Sequence, residues 1–288
     1  MRRQASFSIT AVMIASLLAT SAATAEDPSK YPDWKGQWRD MLPRGVGGQS
    51  VRFDQSKPYG RGQEAPLTEE YRKVHEASMA EQAEGGVGNW PGTTCRPNGM
   101  PRMMAVAEFE YIVTPETTYI LIGSDQRYYR RIYTDGRPWP AAIEPTHAGY
   151  SIGQWRDEDG SGRFNVLEVE TRGPFKGPRA YDATGLPLAF DNQSVFQERF
   201  YLDKNDPNIL HDMITVIDHA LTRPWTVDKR YRRNPNPRPA WREDYCIEGN
   251  QDVVIRKEHY FLSADGYLMP VGRNQAPPDL RYFKQTRK

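Results

Sequence analysis

From residue 109 onward, apolar and polar positions alternate with a period of two, the pattern of strands that bury one face. Runs at 109–114 and 118–123 flank Pro115-Glu116, and a third at 127–134 ends at the turn pair Asp135-Gly136. Segments 151–156 and 164–171 flank another Asp-Gly turn. Segments 194–202 and 209–218 flank Asp203-Lys204-Asn205-Asp206-Pro207, a stretch made almost wholly of turn formers. Further runs lie at 225–232 and 253–261. About eight short strands joined in sequence order predict a mainly β fold, an antiparallel meander. Closing it into a lipocalin-like up-and-down barrel, or a strongly curled half-barrel, removes the exposed edges; a stacked sandwich is the alternative. A barrel of about eight strands is just wide enough to hold a small ligand.

The period is different before residue 91. Residues 26–90 read as a mostly irregular wrapping segment, with Trp34 and Trp38 laid against a domain surface and a Gly-, Gln- and Ser-rich stretch at 45–62. One helix is predicted at 67–84, with Thr68 as N-cap, Glu69 and Glu70 in the first turn, and Gly85-Gly86 as the stop. Its apolar stripe of Tyr71, Val74 and Met79 is narrow, which suits a surface helix. The β-domain then covers 91–262 and a tail covers 263–288. Gly-rich nucleotide loops, βαβ alternation and internal repeats are missing from the sequence.

The first 25 residues set the compartment. Arg2 and Arg3 precede an apolar run at 7–19 and the small triplet Ala23-Thr24-Ala25, the three parts of a cleavable secretory signal. The run is too short for a membrane span, and no later segment is apolar enough for one. Cleavage near Ala25 predicts a periplasmic or secreted protein. Removing Arg2 and Arg3 takes the formal charge from +1 to −1. With acids and bases interspersed, nothing points to a nucleic-acid partner. An exported chain has no nucleotide pool to draw on, so no ATP or diffusible nicotinamide cofactor is expected. Two cysteines, Cys95 and Cys246, in an oxidising compartment favour one disulfide, closing a loop of about 150 residues for on the order of 5 kcal/mol. Two buried free thiols are the other possibility.

Several clusters could carry chemistry. In the stretch from Arg130 to Pro140, Arg131 and Tyr133 share one strand face, and Arg137 follows the turn within reach of Trp139. The functional reading is a barrel mouth that recognises an anion or an aromatic; the plain one is a hairpin with cross-strand ion pairs. Glu198 shares its strand face with Phe196, Phe200 and Leu202. A carboxylate among aromatics is either a general acid or base, or the partner of a buried arginine such as Arg130 or Arg131. His147 lies in a loop leading into the strand at 151 and is the second acid–base candidate. His211-Asp212 and Asp218-His219 bracket one strand without metal-ligand spacing. Asp157, Asp159, Ser161, Asn165 and Glu168 match a calcium loop, with Gly162 at the sixth position, but strands rather than helices flank it, so an acidic hairpin tip is preferred. No metal is therefore assigned.

Cys95-Arg-Pro-Asn-Gly-Met-Pro-Arg-Met-Met104, Arg130-Arg-Ile-Tyr-Thr-Asp-Gly-Arg137, Gly149-Tyr-Ser-Ile-Gly-Gln-Trp155, Val169-Glu-Thr-Arg-Gly173 and Glu198-Arg199 together resemble an uncharacterised family of secreted bacterial proteins. The resemblance spans residues 30–250 and implies an exported, mostly β domain with these motifs gathered at one site. It implies no reaction, and residues 157–163 lengthen a hairpin that is shorter in the family. The function expected is binding of a small apolar or aromatic molecule, with Tyr133, Trp139, Trp155, Phe196 and Phe200 as contact surface and Arg131 and Arg137 orienting a polar end. The rival is a cofactor-independent lyase, hydratase or isomerase in the same cavity, with Glu198 or His147 moving the proton. A third reading is a structural envelope protein.

Overall fold

The computed structural model describes residues 27–41, 65–83, 97, 99–104, 108–123, 128–176, 193–241, 251–256, 258–262, 267–270 and 274–278. The expected signal segment and both cysteines, Cys95 and Cys246, lie outside the described residues.

Nine strands close into a barrel: β1 (Gln37–Asp40), β2 (Glu108–Val113), β3 (Thr117–Gly123), β4 (Tyr128–Tyr133), β5 (Tyr150–Arg156), β6 (Val166–Arg172), β7 (Val195–Leu202), β8 (Ile209–Ile217) and β9 (Trp225–Arg233). Each strand pairs with its sequence neighbours, and β1 closes the ring by pairing antiparallel with both β2 and β9. A ring with an odd number of strands cannot alternate direction throughout. At least one neighbouring pair must run parallel, and here it is β4–β5, registered at Ile132↔Ser151 and Tyr133↔Ile152. Parallel neighbours need a crossover rather than a tight turn, and residues 134–149 supply it.

The barrel expected from the sequence is thus present, with two corrections. The meander is mixed rather than wholly antiparallel. The N-terminal segment, read as irregular, contributes β1, whose four residues are too few for alternation to register. Trp34 and Trp38, expected to pack against the domain, are buried in its core at 1% and 0% exposure. Their burial supplies apolar area that closes one part of the ring.

Among the described residues there is one α-helix, α1 (Glu69–Ala83); just before it the Thr68 carbonyl accepts from the Arg72 amide at 2.9 Å and the Thr68 amide donates to the Ala220 carbonyl at 2.8 Å. Tyr71 packs on the core and Val74 is exposed, while His75 and Ser78 are buried, so among the described side chains the helix docks with polar as well as apolar groups. Beyond the barrel, the run at 253–261 divides at Arg256 (φ +52°) into β10 (Gln251–Ile255) and β11 (Glu258–Leu262). With β12 (Leu268–Pro270), which falls in the segment read as a tail, they form a separate antiparallel sheet. Among the described residues no helix is long and apolar enough to cross a membrane.

Inside the barrel the register stacks side chains in levels. Ser151, Thr171, Phe196 and Val216 form one level, then Gly153, Val169, Glu198 and Ile214, then Trp155, Leu167, Phe200 and Asp212. Gly153 is required by this packing: a Cβ there would lie 2.6 Å from Ile132 Cγ2 and 3.1 Å from Leu167 Cδ1. Ile132 is a stiff β-branched residue held across the parallel joint, so it cannot swing aside. Gly153→Ala is expected to destabilise the protein by about 1–3 kcal/mol, measured by urea denaturation, through overpacking.

Candidate functional site

The strands direct five charged side chains into the lumen. Arg130 from β4 meets Glu198 from β7 in a two-point ion pair, with Nη1 donating to Oε1 at 2.7 Å and Nη2 to Oε2. The same guanidinium donates to Thr171 Oγ1 at 2.7 Å and Ser151 Oγ at 3.3 Å, and these two hydroxyls bond each other at 2.8 Å. Arg130 therefore ties four strands together from inside. Burial works against its charge, but the Glu198 carboxylate outweighs burial and the guanidinium's pKa ends up raised. Lys229 from β9 pairs with Asp40 from β1 at 3.2 Å. Asp212 from β8 is the acid left over.

Asp212 is fully buried, and burial followed by the neighbouring Glu198 charge pushes its pKa well above the usual carboxylate range, against the pull of Arg130 and Lys229. The two ion pairs are each neutral, so a proton on Asp212 leaves these five groups with no net charge. Tyr231 donates to the Met104 carbonyl at 2.6 Å and lies 3.5 Å from Asp212 Oδ2; Asp212 Oδ1 has no hydrogen-bond partner. Three donors nearby are also unpartnered: Tyr111 OH, Trp34 Nε1 and Trp155 Nε1. Their rings are in contact, Trp34 with Tyr111 at 5.3 Å and with Trp155 at 4.9 Å between centroids. Burial, then Asp212, holds the Tyr111 hydroxyl well above its ordinary pKa, so it remains a donor at neutral pH. Buried polar groups are paired in the great majority of cases, so four orphans around one aromatic cluster mark the place.

The N-terminal strap covers this cluster. Tyr31 packs edge-on against Trp155 at 5.4 Å, the Phe164 amide donates to the Lys30 carbonyl at 2.7 Å, and Arg233 donates to the carbonyls of Asp33, at 2.7 Å, and Lys35. A second segment, around Met100, Met103 and Met104, is buried against the barrel. It meets the crossover where the Met100 amide donates to the His147 carbonyl at 3.1 Å, and a Cβ on Gly99 would lie 2.7 Å from that same oxygen.

The residues singled out from the sequence divide across the barrel wall. Trp155, Phe196, Phe200 and Glu198 face the lumen. Arg131 is on the exposed outer face of β4, and Tyr133 is outside against Tyr150 at 5.0 Å with Arg137 stacked on its ring at 3.8 Å. Arg137 and Trp139 line a groove of about 940 Å³ on the outer wall of β5–β8. A lumen site and a mouth site therefore do not merge into one. Glu198 is the partner of Arg130, as the arginine reading expected. His147 is half-buried at the crossover, its pKa lowered by burial and by Lys176. His211 points away from Asp212, out through the wall, between Asp228 at 2.9 Å and Asp203 at 3.2 Å.

In the calcium-like hairpin the oxygens are turned onto the chain itself: Asp157 accepts from the Ser161 and Gly162 amides, Asp159 from Ser161, and Asn165 from Glu158. Glu168 pairs on the wall with Arg156. Among the described residues no cluster of His, Cys, Asp or Glu is arranged to hold a metal.

Tyr111, Asp212, Lys229 and Trp34 were missed as site residues. Asp212 carried the signal that exposed Glu198: one carboxylate on an otherwise apolar strand face, between Leu210 and Ile214. Compared with known protein families, characterised proteins and solved structures, the chain matches none.

Two measurements test this geometry. Glu198→Ala strands a buried guanidinium and is expected to destabilise by about 3–5 kcal/mol, whereas Arg130→Met combined with Glu198→Leu recovers most of the loss. Asp212 has a folded pKa above its unfolded one, so its contribution is fully present below the ordinary carboxylate pKa and is lost as pH rises toward the raised value. Urea melts of Asp212→Asn should therefore match wild type near pH 4 and exceed it near pH 8, flattening the alkaline decline.

Proposed function

We propose that this is an exported barrel protein that binds a small, neutral, oxygen-bearing aromatic molecule in its lumen. The observation that carries the reading is the set of unpartnered polar atoms, Tyr111 OH, Trp34 Nε1, Trp155 Nε1 and Asp212 Oδ1, gathered among aromatic rings. Three are donors that call for acceptor oxygens on a guest, and the surrounding rings call for a flat apolar body. Neutrality follows from the charges: Arg130 and Lys229 already hold Glu198 and Asp40, so neither is available to a ligand carboxylate. Large buried side chains, among them Phe109, Phe196, Phe200 and Tyr231, line the lumen, so a guest has to be small. The signal-like N-terminus supports export to the periplasm or beyond.

One observation favours the catalytic alternative in a changed form. Glu198 is locked by Arg130, so a lyase, hydratase or isomerase step would use Asp212 as the acid or base, with the Tyr111 hydroxyl stabilising a developing oxyanion.

Tryptophan quenching by 4-hydroxyacetophenone, a neutral phenolic ketone, tests the binding reading directly. Saturable quenching is expected, with weaker responses to benzoate and to toluene. Tyr111→Phe should weaken it by about 10-fold, the worth of one buried hydrogen bond. Equal responses to all three probes, or none, would contradict the reading.

A further inference from the structure

We propose that the groove on the outer wall of the barrel is a binding site for a neutral oligosaccharide. This site is separated from the lumen by the sheet and does not depend on what the lumen holds. Its floor is set by the register of β5–β8. Gln154, Glu168 and Arg199 form one outward row, and Glu170, Gln197 and Thr215 form the next. Its wall is the crossover forced by the parallel joint, which brings Trp139 and Arg137 to the edge.

The charge pattern decides what fits. Four arginines line the groove, and each already has a carboxylate: Arg137 with Asp135 at 2.6 Å, Arg156 with Glu168 at 2.8 Å, Arg172 with Glu170 at 2.5 Å, and Arg199 with Glu158. An anionic ligand finds no uncompensated cation among these four. A greasy ligand would have to strip water from paired ions and amides with no hydrogen bonds in return. A polyol both donates and accepts, so its vicinal hydroxyls can bridge Gln, Glu and Arg side chains while leaving the ion pairs intact. The half-buried ring of Trp139, held by Arg172 stacked on it at 4.3 Å and by Tyr150 at 6.0 Å, lines the groove as a rigid aromatic surface against which the C–H face of a sugar can pack. A volume of about 940 Å³ accommodates a ligand larger than one sugar ring.

The test is a printed glycan array probed with the full mature chain, followed by calorimetric titration with the best-bound oligosaccharide. Binding to uncharged glycans is expected, with Kd changed by less than about 2-fold between low and high salt, because no net charge is screened. Trp139→Ala should weaken binding by about 10-fold or more. Gln197→Ala, an exposed floor position that leaves the fold undisturbed, should weaken it several-fold, while Tyr111→Phe in the lumen should leave it unchanged. Three outcomes would overturn the proposal: no glycan bound, binding confined to sulfated or carboxylated glycans and lost in salt, or binding indifferent to both Trp139→Ala and Gln197→Ala.

Discussion

Nine strands in a closed ring cannot all run antiparallel to their neighbours, and much of this molecule follows from where the exception falls. The β4–β5 joint has two registered pairs, against seven between β5 and β6. It has the fewest registered pairs of any seam in the ring. Arg130 crosses that seam on the inside, leaving β4 to grip Ser151 on β5, Thr171 on β6 and Glu198 on β7. Side-chain bonds in a low-dielectric interior are strong, and here each guanidinium nitrogen and both hydroxyl oxygens have at least one partner. The buried ion pair is thus placed where the ladder is thinnest.

The same joint generates the features outside. A parallel pair needs a long connection, and residues 134–149 run over the wall as that connection. Their first part carries Arg137 and Trp139 to the groove. Their last part carries His147 and Gly149 to the segment around Gly99 and Met100, where backbones approach too closely for any side chain at Gly99. Gly149 is confined in the same way, at φ +73° and with Phe175 Cε1 2.6 Å from the place its Cβ would occupy. The lumen and the groove are therefore two faces of one sheet, built by one topological constraint, with opposite chemistry: orphaned donors among aromatics within, paired ions and amides without.

The barrel was legible in the sequence because period-two alternation and turn chemistry are local signals, and β2 to β9 announce themselves that way. β1 was not, since Gln37–Asp40 is too short to show a period and is a strand only because β2 and β9 flank it. The parallel joint was hidden for a related reason: direction depends on how the ring closes, and Asp135-Gly136 reads locally as the turn of an ordinary hairpin. Glu198 was legible as a carboxylate on an apolar face. Asp212 offered the same signal but stood beside His211, which drew it into a pair that the pleat sends to opposite sides of the wall. Arg131, Tyr133, Arg137 and Trp139 stand close together in the sequence, yet a curled sheet has two faces and the sequence does not say which of them a mouth residue joins.

Hydrogen–deuterium exchange along β4 and β5 reports on the parallel seam itself. If Arg130 and Glu198 hold the parallel seam, its amides in the wild-type protein are protected as well as those of β7 and β8, and Glu198→Gln releases the seam amides selectively while the β7–β8 ladder stays protected. Seam amides that exchange as fast as the surface turns in the wild type, or a uniform loss of protection across all nine strands in the variant, would contradict it.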